Sequence, residues 1–289
     1  MSKINSWLIL LFKLLIASIA LYAVFTRVPI NMVKGHITHA DKPLLLLALL
    51  LQWASLLFSS LRSQHYLAYY GLRLKYVQTA AIYYIGAMFN IILPGGIGGD
   101  GYRMILLAKD HQFPKLTSLR VMLYERASGL YGLSLLCLIL LPWTSFYQLG
   151  SLAQAIIILC LIMVTPCYFL GAKYILRDNI KIALKTAPLS LVIQLLQVIS
   201  AICVIYALNK NAPMLEVKDY TALFLLASIA ATIPISIGGA GLRELTFLYG
   251  IEMLGYSDLS FGVSIALTTF LLTTAAGMAG LPVWLWRRK

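Results

Sequence analysis

Charge is what this 289-residue sequence has least of. Only 11% of its residues are charged, against about 25% in a typical soluble domain, and only ten are Asp or Glu. Hydrophobic residues make up 61%, and the mean hydropathy is +0.86. A soluble globule of this size cannot bury that much apolar surface and still present a polar coat to water. A soluble enzyme, a disordered chain and a secreted disulfide scaffold are excluded, which leaves lipid as the main solvent. Cysteine is scarce as well. Cys137, Cys160, Cys167 and Cys203 all lie in apolar runs, which suits packing rather than disulfides or metal. The four histidines, His36, His39, His65 and His111, read as loop residues without metal-ligand spacing. There is no G-x-S-x-G elbow and no Walker-type loop. The sequence calls for no cofactor and no metal. Its formal charge of +13 has no soluble basic domain to sit on, so nucleic acid is not an expected partner. In a membrane protein such an excess collects on the cytoplasmic face beside anionic lipid.

What the sequence has in abundance is long apolar runs. A spanning helix needs about 20 apolar residues, and six segments qualify: about 7–26, 43–61, 119–142, 150–170, 188–208 and 260–284. The first is too long for a signal-peptide core, contains Lys13 and lacks a clear cleavage site, so it reads as a retained anchor. Two more stretches, about 77–93 and 219–233, run into Pro/Gly-rich breaks followed by short amphipathic pieces. The distribution of Lys and Arg separates spanning from re-entrant geometry. With both stretches re-entrant and a cytoplasmic N-terminus, fourteen basic residues, Arg62 among them, fall inside. Only Arg27, Lys34, Lys42, Lys210 and Lys218 fall outside. With both spanning, nine fall inside and ten outside. The re-entrant arrangement is therefore expected.

The two breaks resemble each other. Residues 94–103 read P-G-G-I-G-G-D-G-Y-R and residues 234–243 read P-I-S-I-G-G-A-G-L-R, six of ten columns matching at an offset of 140. The flanking spans recur in the same order, and Gln52 finds Gln194 at the corresponding place. Each repeat holds three spans and one hairpin, and three is odd, so the second repeat enters the membrane inverted. The expected fold is an all-α integral membrane protein, a single membrane domain over 1–289. It has six transmembrane helices and two re-entrant hairpins in inverted repeats of about 5–143 and 149–285. Inverted repeats with broken helices are the secondary-transporter pattern, with the substrate near the midplane.

Gly-rich backbone at membrane depth is tolerated where it is buried in protein or lines a wet cavity. Pro94 and Pro234 end one arm of each hairpin, and the returning arms are expected to begin near Gly101 and Gly241. Gly98, Gly99 and Gly101, with Gly238, Gly239 and Gly241, would leave free N–H groups at those helix starts, an anion site. Arg103 and Arg243 fall in the first turns and could grip a phosphate bidentately. Asp100 lies three residues before Arg103, a spacing that pairs them. Glu125 and Arg126 are adjacent and are expected to face different directions. Glu244 follows Arg243. These charges either pair structurally or serve a substrate, and the sequence leaves both readings open. Asn90, Thr232 and Ser236 are further polar candidates. Thr273 and Gly277 read as packing, and Glu252 and Asp258 as solvated loop residues. Gly96-x-Gly98-x-x-Gly101 matches a dinucleotide fingerprint only formally, since no βαβ unit surrounds it.

The runs F-N-I-I-L-P-G-G-I-G-G-D-G-Y-R-M-I-L-L (89–107), Y-E-R (124–126) and P-I-S-I-G-G-A-G-L-R-E (234–244) together resemble the flippase-like membrane region of lysylphosphatidylglycerol synthases. The resemblance covers about residues 5–285. It implies movement of lipids between leaflets and carries Asp100, Arg103, Glu125, Arg126, Gly238, Gly239, Gly241 and Glu244 as matching positions. Two departures stand out. The family often has an Arg where this chain has Gly96, and an acid shortly after Glu-Arg where Ala127, Ser128 and Gly129 follow. The sequence stops at Lys289, so a flippase-like protein is expected rather than a lysyl transferase. The expected activity is translocation of an anionic phospholipid or a polyisoprenyl-phosphate-linked lipid. The alternative is a membrane-embedded transferase acting on such lipids. The expected partners are membrane lipids with anionic head groups, and a homo-oligomer is compatible with the sequence. The expected location is the cell inner membrane, multi-pass, with cytoplasmic N- and C-termini.

Overall fold

The computed structural model describes residues 15, 18–19, 22–92, 98–174, 180–232 and 241–287. Among them the chain forms α-helices and short 3-10 turns, with no strand. The helices are α1 (Ile30–Thr38), α2 (Lys42–Tyr69), α3 (Tyr76–Ile92), α4 (Gly98–His111), α5 (Lys115–Leu140), α6 (Ser151–Tyr174), α7 (Ile180–Leu208), α8 (Met214–Ala231), α9 (Leu242–Leu254), α10 (Leu259–Met278) and α11 (Gly280–Trp286).

Five helices are long and apolar enough to cross a membrane: α2, α5 with its 3-10 extension to Trp143, α6, α7, and α10 continued through α11. They match five of the six expected spans. The sixth, 7–26, lies largely outside the described residues. At 1.5 Å per residue, α4 and α9 reach only about 20 Å, short of the roughly 30 Å hydrocarbon core. Each packs against the helix before it, α4 on α3 and α9 on α8.

Local chemistry sets the helix ends. Asp41 caps α2 by accepting the Leu44 N–H at 3.1 Å, and Pro43 suits the first turn. Past Tyr69 the chain turns through Gly71 at φ +94°. Asp258 caps α10 by accepting from the N–H groups of Ser260 and Phe261, so it is a helix cap rather than a loose loop residue. Glu252 lies within α9 and pairs with Arg27 at 3.0 Å. His36 and His65 lie within α1 and α2 and His111 ends α4, where the sequence reading had loops. No three metal-ligating side chains gather among the described residues. Cys137 and Cys203 are buried, Cys160 and Cys167 exposed, and all four are free thiols.

The centre of the molecule is the pairing of α2 with α7. Gln52, Ser55, Ser59, Arg62, Ser63 and Tyr66 are all buried, and their spacing puts them on one helical face. On α7 the facing residues are Thr186, Ser190, Gln194, Gln197 and Ser200. Gln52 donates to Ser200 at 3.3 Å, Gln197 to Ser55 at 3.5 Å and Arg62 to Ser190 at 2.9 Å. Tyr66 and Thr186 share a bond of 2.7 Å. Rising numbers on one helix meet falling numbers on the other, so the two run antiparallel. Side-chain hydrogen bonds and small residues hold such helices together where lipid supplies no hydrophobic drive. The apolar faces point outward: Leu46, Leu50 and Leu57 of α2 are exposed, as are Leu152, Ile156 and Leu159 of α6.

This pairing also corrects the sequence reading of Arg62. It is not in a cytoplasmic loop. The helix continues to Tyr69, and Arg62 is only 5% exposed, inside the protein. A second buried charge, Asp219 of α8, is wholly enclosed. It accepts from the N–H and hydroxyl of Ser145 at 2.8 and 2.7 Å and from the Tyr256 hydroxyl at 2.6 Å. Those bonds pin the 143–149 turn and the end of α9 to α8.

Candidate functional site

A cavity of about 530 Å³ opens between α2, α3, α4, α5, α7, α8 and α10. Its charged end presents Arg62, Asp100, Arg103, Glu125 and Arg126. Its apolar wall is made by Leu56, Ile91, Leu130 and Leu133. Gln194, Thr232, Thr273 and Gly277 close the side contributed by the later half of the chain. Thr273 and Gly277, read from sequence as packing residues, therefore line the cavity.

Arg103 is the best-bound group. It is 3% exposed. Its Nη1 donates to Glu125 Oε2 at 2.7 Å and its Nη2 to Glu125 Oε1 at 2.9 Å, a bidentate fork. Nη2 also donates to Ser63 Oγ at 2.8 Å, and the guanidinium lies 4.6 Å over the Tyr83 ring. Asp100 is a distant partner at 3.5 Å. The expected i, i+3 pair is thus present, as the longest of the Arg103 contacts. Asp100 also accepts from Arg126 Nε at 2.8 Å and approaches its Nη2 at 2.6 Å. Glu125 and Arg126 reach the same cavity despite being adjacent. Glu125 is buried and Arg126 sits at the rim, its side chain 37% exposed.

The first short helix is described from Gly98, within three residues of the expected start, with Arg103 five residues on. A Cβ on Gly99 would meet the Gly86 carbonyl oxygen at 1.8 Å, so only glycine lets α3 and α4 touch here. The Gly99 N–H is taken by Asn90 Oδ1 at 2.9 Å. The second arm begins at Leu242, after Gly241 at φ +83°. The Gly241 N–H is taken by Glu244 Oε2 at 2.7 Å. At both helix starts the chain's own side chains accept an N–H that the sequence reading had reserved for an anion. Gly98 and Gly101 lie in the first turn of α4; Gly238 and Gly239 lie outside the described residues.

Arg243 lies at the start of α9. It does not line the cavity among the described residues, and its Nε is buried without a hydrogen bond. The sequence reading missed Arg62 altogether as a site residue. Arg62 Nη1 has the Ser190 hydroxyl, and its Nε has no partner. The signal was available in the polar stripe Gln52, Ser55, Ser59, Arg62, Ser63 and Tyr66, which continues at helical spacing beyond the apolar run.

The cavity thus sets buried charges beside an apolar wall. The family described as Lysylphosphatidylglycerol synthase TM region matches residues 10–280. The chain belongs to that family. Membership, with the apolar helices, gives the protein a place in the membrane and a lipid-related function. No curated protein sequence matches it.

Proposed function

We propose that the protein translocates an anionic lipid between leaflets, either a phospholipid or a polyisoprenyl-phosphate-linked lipid. The observation that carries this reading is one cavity with a charged end and an apolar wall. A head group enters the charged end, and its acyl or isoprenyl chain lies along Leu56, Ile91, Leu130 and Leu133. Both halves of the chain line it, which suits a site that each face of the membrane can reach in turn. The antiparallel crossing of α2 and α7, the corresponding spans of the two repeats, supports an inverted-repeat architecture. The short α4 and α9, packed on α3 and α8, support re-entrant hairpins. The distribution of Lys and Arg supports cytoplasmic termini in a cell inner membrane. Arg103, Glu125, Asp100 and Arg126 form the polar wall the head group meets.

The test is reconstitution into liposomes with fluorescent lipids and an impermeant quencher. Faster exposure of labelled phosphatidylglycerol than of labelled phosphatidylcholine is expected, with every lipid recovered chemically unchanged. Equal, protein-independent rates would overturn translocation. A new lipid species in the extract would replace it with transferase chemistry.

A further inference from the structure

The charges of the cavity do not balance. Three guanidiniums, Arg62, Arg103 and Arg126, face two carboxylates, Asp100 and Glu125, among its described lining residues. Arg103 is bound to Glu125, and Arg126 to Asp100. The surplus positive charge rests on Arg62. No carboxylate lies within ion-pair distance of it among the described residues. Its partner is the neutral hydroxyl of Ser190, and its Nε, with less than 1 Å² exposed, bonds to nothing.

Such a group is expensive. A buried cation without a direct ion pair is costly, more so in lipid, and Glu125, which acts on Arg62 electrostatically from beyond that distance, has both its oxygens held by Arg103. Space has been left in front of it as well. A Cβ built on Gly129 of the facing α5 would stand 3.7 Å from Arg62 Nη1, 3.9 Å from Gln194 Nε2 and 4.0 Å from Arg62 Nη2, so α5 itself sets no side chain against the guanidinium at this position. Arg103 and Arg126 must break ion pairs before they can hold a phosphate. Arg62 needs to break none.

We infer that Arg62 is the phosphate ligand, and that the cavity takes a head group with one net negative charge, a phosphodiester rather than a diphosphate. The inference rests on the lipid-translocation reading and specifies its substrate class. One phosphodiester cancels the single surplus charge. A diphosphate would leave excess negative charge buried beside Asp100 and Glu125. The planar guanidinium offers its donors in the fork that phosphate oxygens match, and Leu56, one and a half turns before Arg62 on α2, starts the apolar wall for the chains.

The experiment measures binding and melting on delipidated protein in detergent. The probes are phosphatidylglycerol, a polyisoprenyl diphosphate and inorganic phosphate. Wild-type protein is expected to bind phosphatidylglycerol at least about tenfold more tightly than the diphosphate, with inorganic phosphate weaker than both. Arg62→Gln should weaken phosphatidylglycerol about tenfold or more, the loss of one charge-assisted contact, while the lipid-free melting temperature holds or rises. Gly129→Asp places a carboxylate against Arg62 and should raise the melting temperature while abolishing lipid binding. Arg120→Gln, at an exposed position on α5, should change neither. Unchanged affinity in Arg62→Gln, or a fall in its lipid-free stability, would make Arg62 structural and overturn the assignment while leaving translocation intact. Tighter diphosphate binding would overturn the charge class, and inorganic phosphate binding as tightly as the lipid would make the ligand a free anion. Wild-type protein that binds no anionic lipid would sink this inference and the translocation reading together.

Discussion

The two halves of the chain carry the same motif and use it differently. In the first, Arg103 is held by a bidentate carboxylate, a serine and an aromatic face, and it lines the cavity. In the second, the equivalent Arg243 has Glu244 beside it in sequence, but that carboxylate turns back to cap Gly241, and among the described residues the guanidinium makes no ion pair. The column that holds Asp100 in one half holds Ala240 in the other. The shared sequence motif, followed in each half by a short helix, thus supports a charged wall on one side and a helix cap on the other.

The comparison predicts opposite outcomes for one substitution made twice. Arg103→Gln leaves Glu125 buried without its cation, and about 3–5 kcal/mol of stability should be lost. Arg243→Gln removes a guanidinium with no ion pair among the described residues, and the change should stay within about 1 kcal/mol. Melting of both proteins in the same detergent checks this, and equal losses would mean the two halves are used alike.

Glu244 gives the next largest effect. As a cap it should tolerate Gln, which can still accept from the Gly241 N–H, whereas Glu244→Ala should cost about 1 kcal/mol. A large loss for Gln would mean that Glu244 serves Arg243 as an ion partner after all.

Asp100→Asn removes a negative charge from beside Arg126 and Arg103. Because the Arg126 pair is partly exposed, the cost should stay below about 1 kcal/mol, and the lost negative charge should tighten binding of phosphatidylglycerol several-fold. A large loss of stability with no gain in affinity would place Asp100 in the architecture only.

The spans were legible because apolar runs of about 20 residues have few other uses. The two short helices after the Pro/Gly-rich runs were legible because so few residues separate those runs from the next charges. The cavity's charges were less so. The i, i+3 spacing gave the Asp100–Arg103 contact but not the shorter bidentate pair with Glu125 from another helix, since no spacing rule reaches across 22 residues. Arg62 was lost because hydropathy ends a span where the charge begins. Here the helix runs on and turns its polar face inward, so the rule that charges lie outside failed where the protein itself supplies the polar surroundings. Asp219 was hidden for the same reason, its partners Ser145 and Tyr256 being distant in sequence.

The smallest expected effect comes from the rim, where the two halves meet again. Lys210 reaches Asp41 at 2.6 Å, and its hydrogen bond, followed by that from the Leu44 N–H, holds the Asp41 carboxyl below its ordinary value near 3.8. A lowered carboxylate stabilises the fold above that ordinary value, and the contribution fades as pH falls through the lowered one. Lys210→Gln should therefore reduce the melting temperature slightly at neutral pH and make no difference at strongly acid pH. Both residues are accessible, so the shift should be far smaller than that from Arg103→Gln.

The central claim is that the cavity between the two halves is the lipid's path, and filling it tests that most directly. Ala127 lines the cavity without taking part in any of its ion pairs. In liposomes, Ala127→Trp should abolish translocation of phosphatidylglycerol while the purified protein still melts near the wild-type temperature. Translocation at the wild-type rate through a cavity so filled would contradict the account.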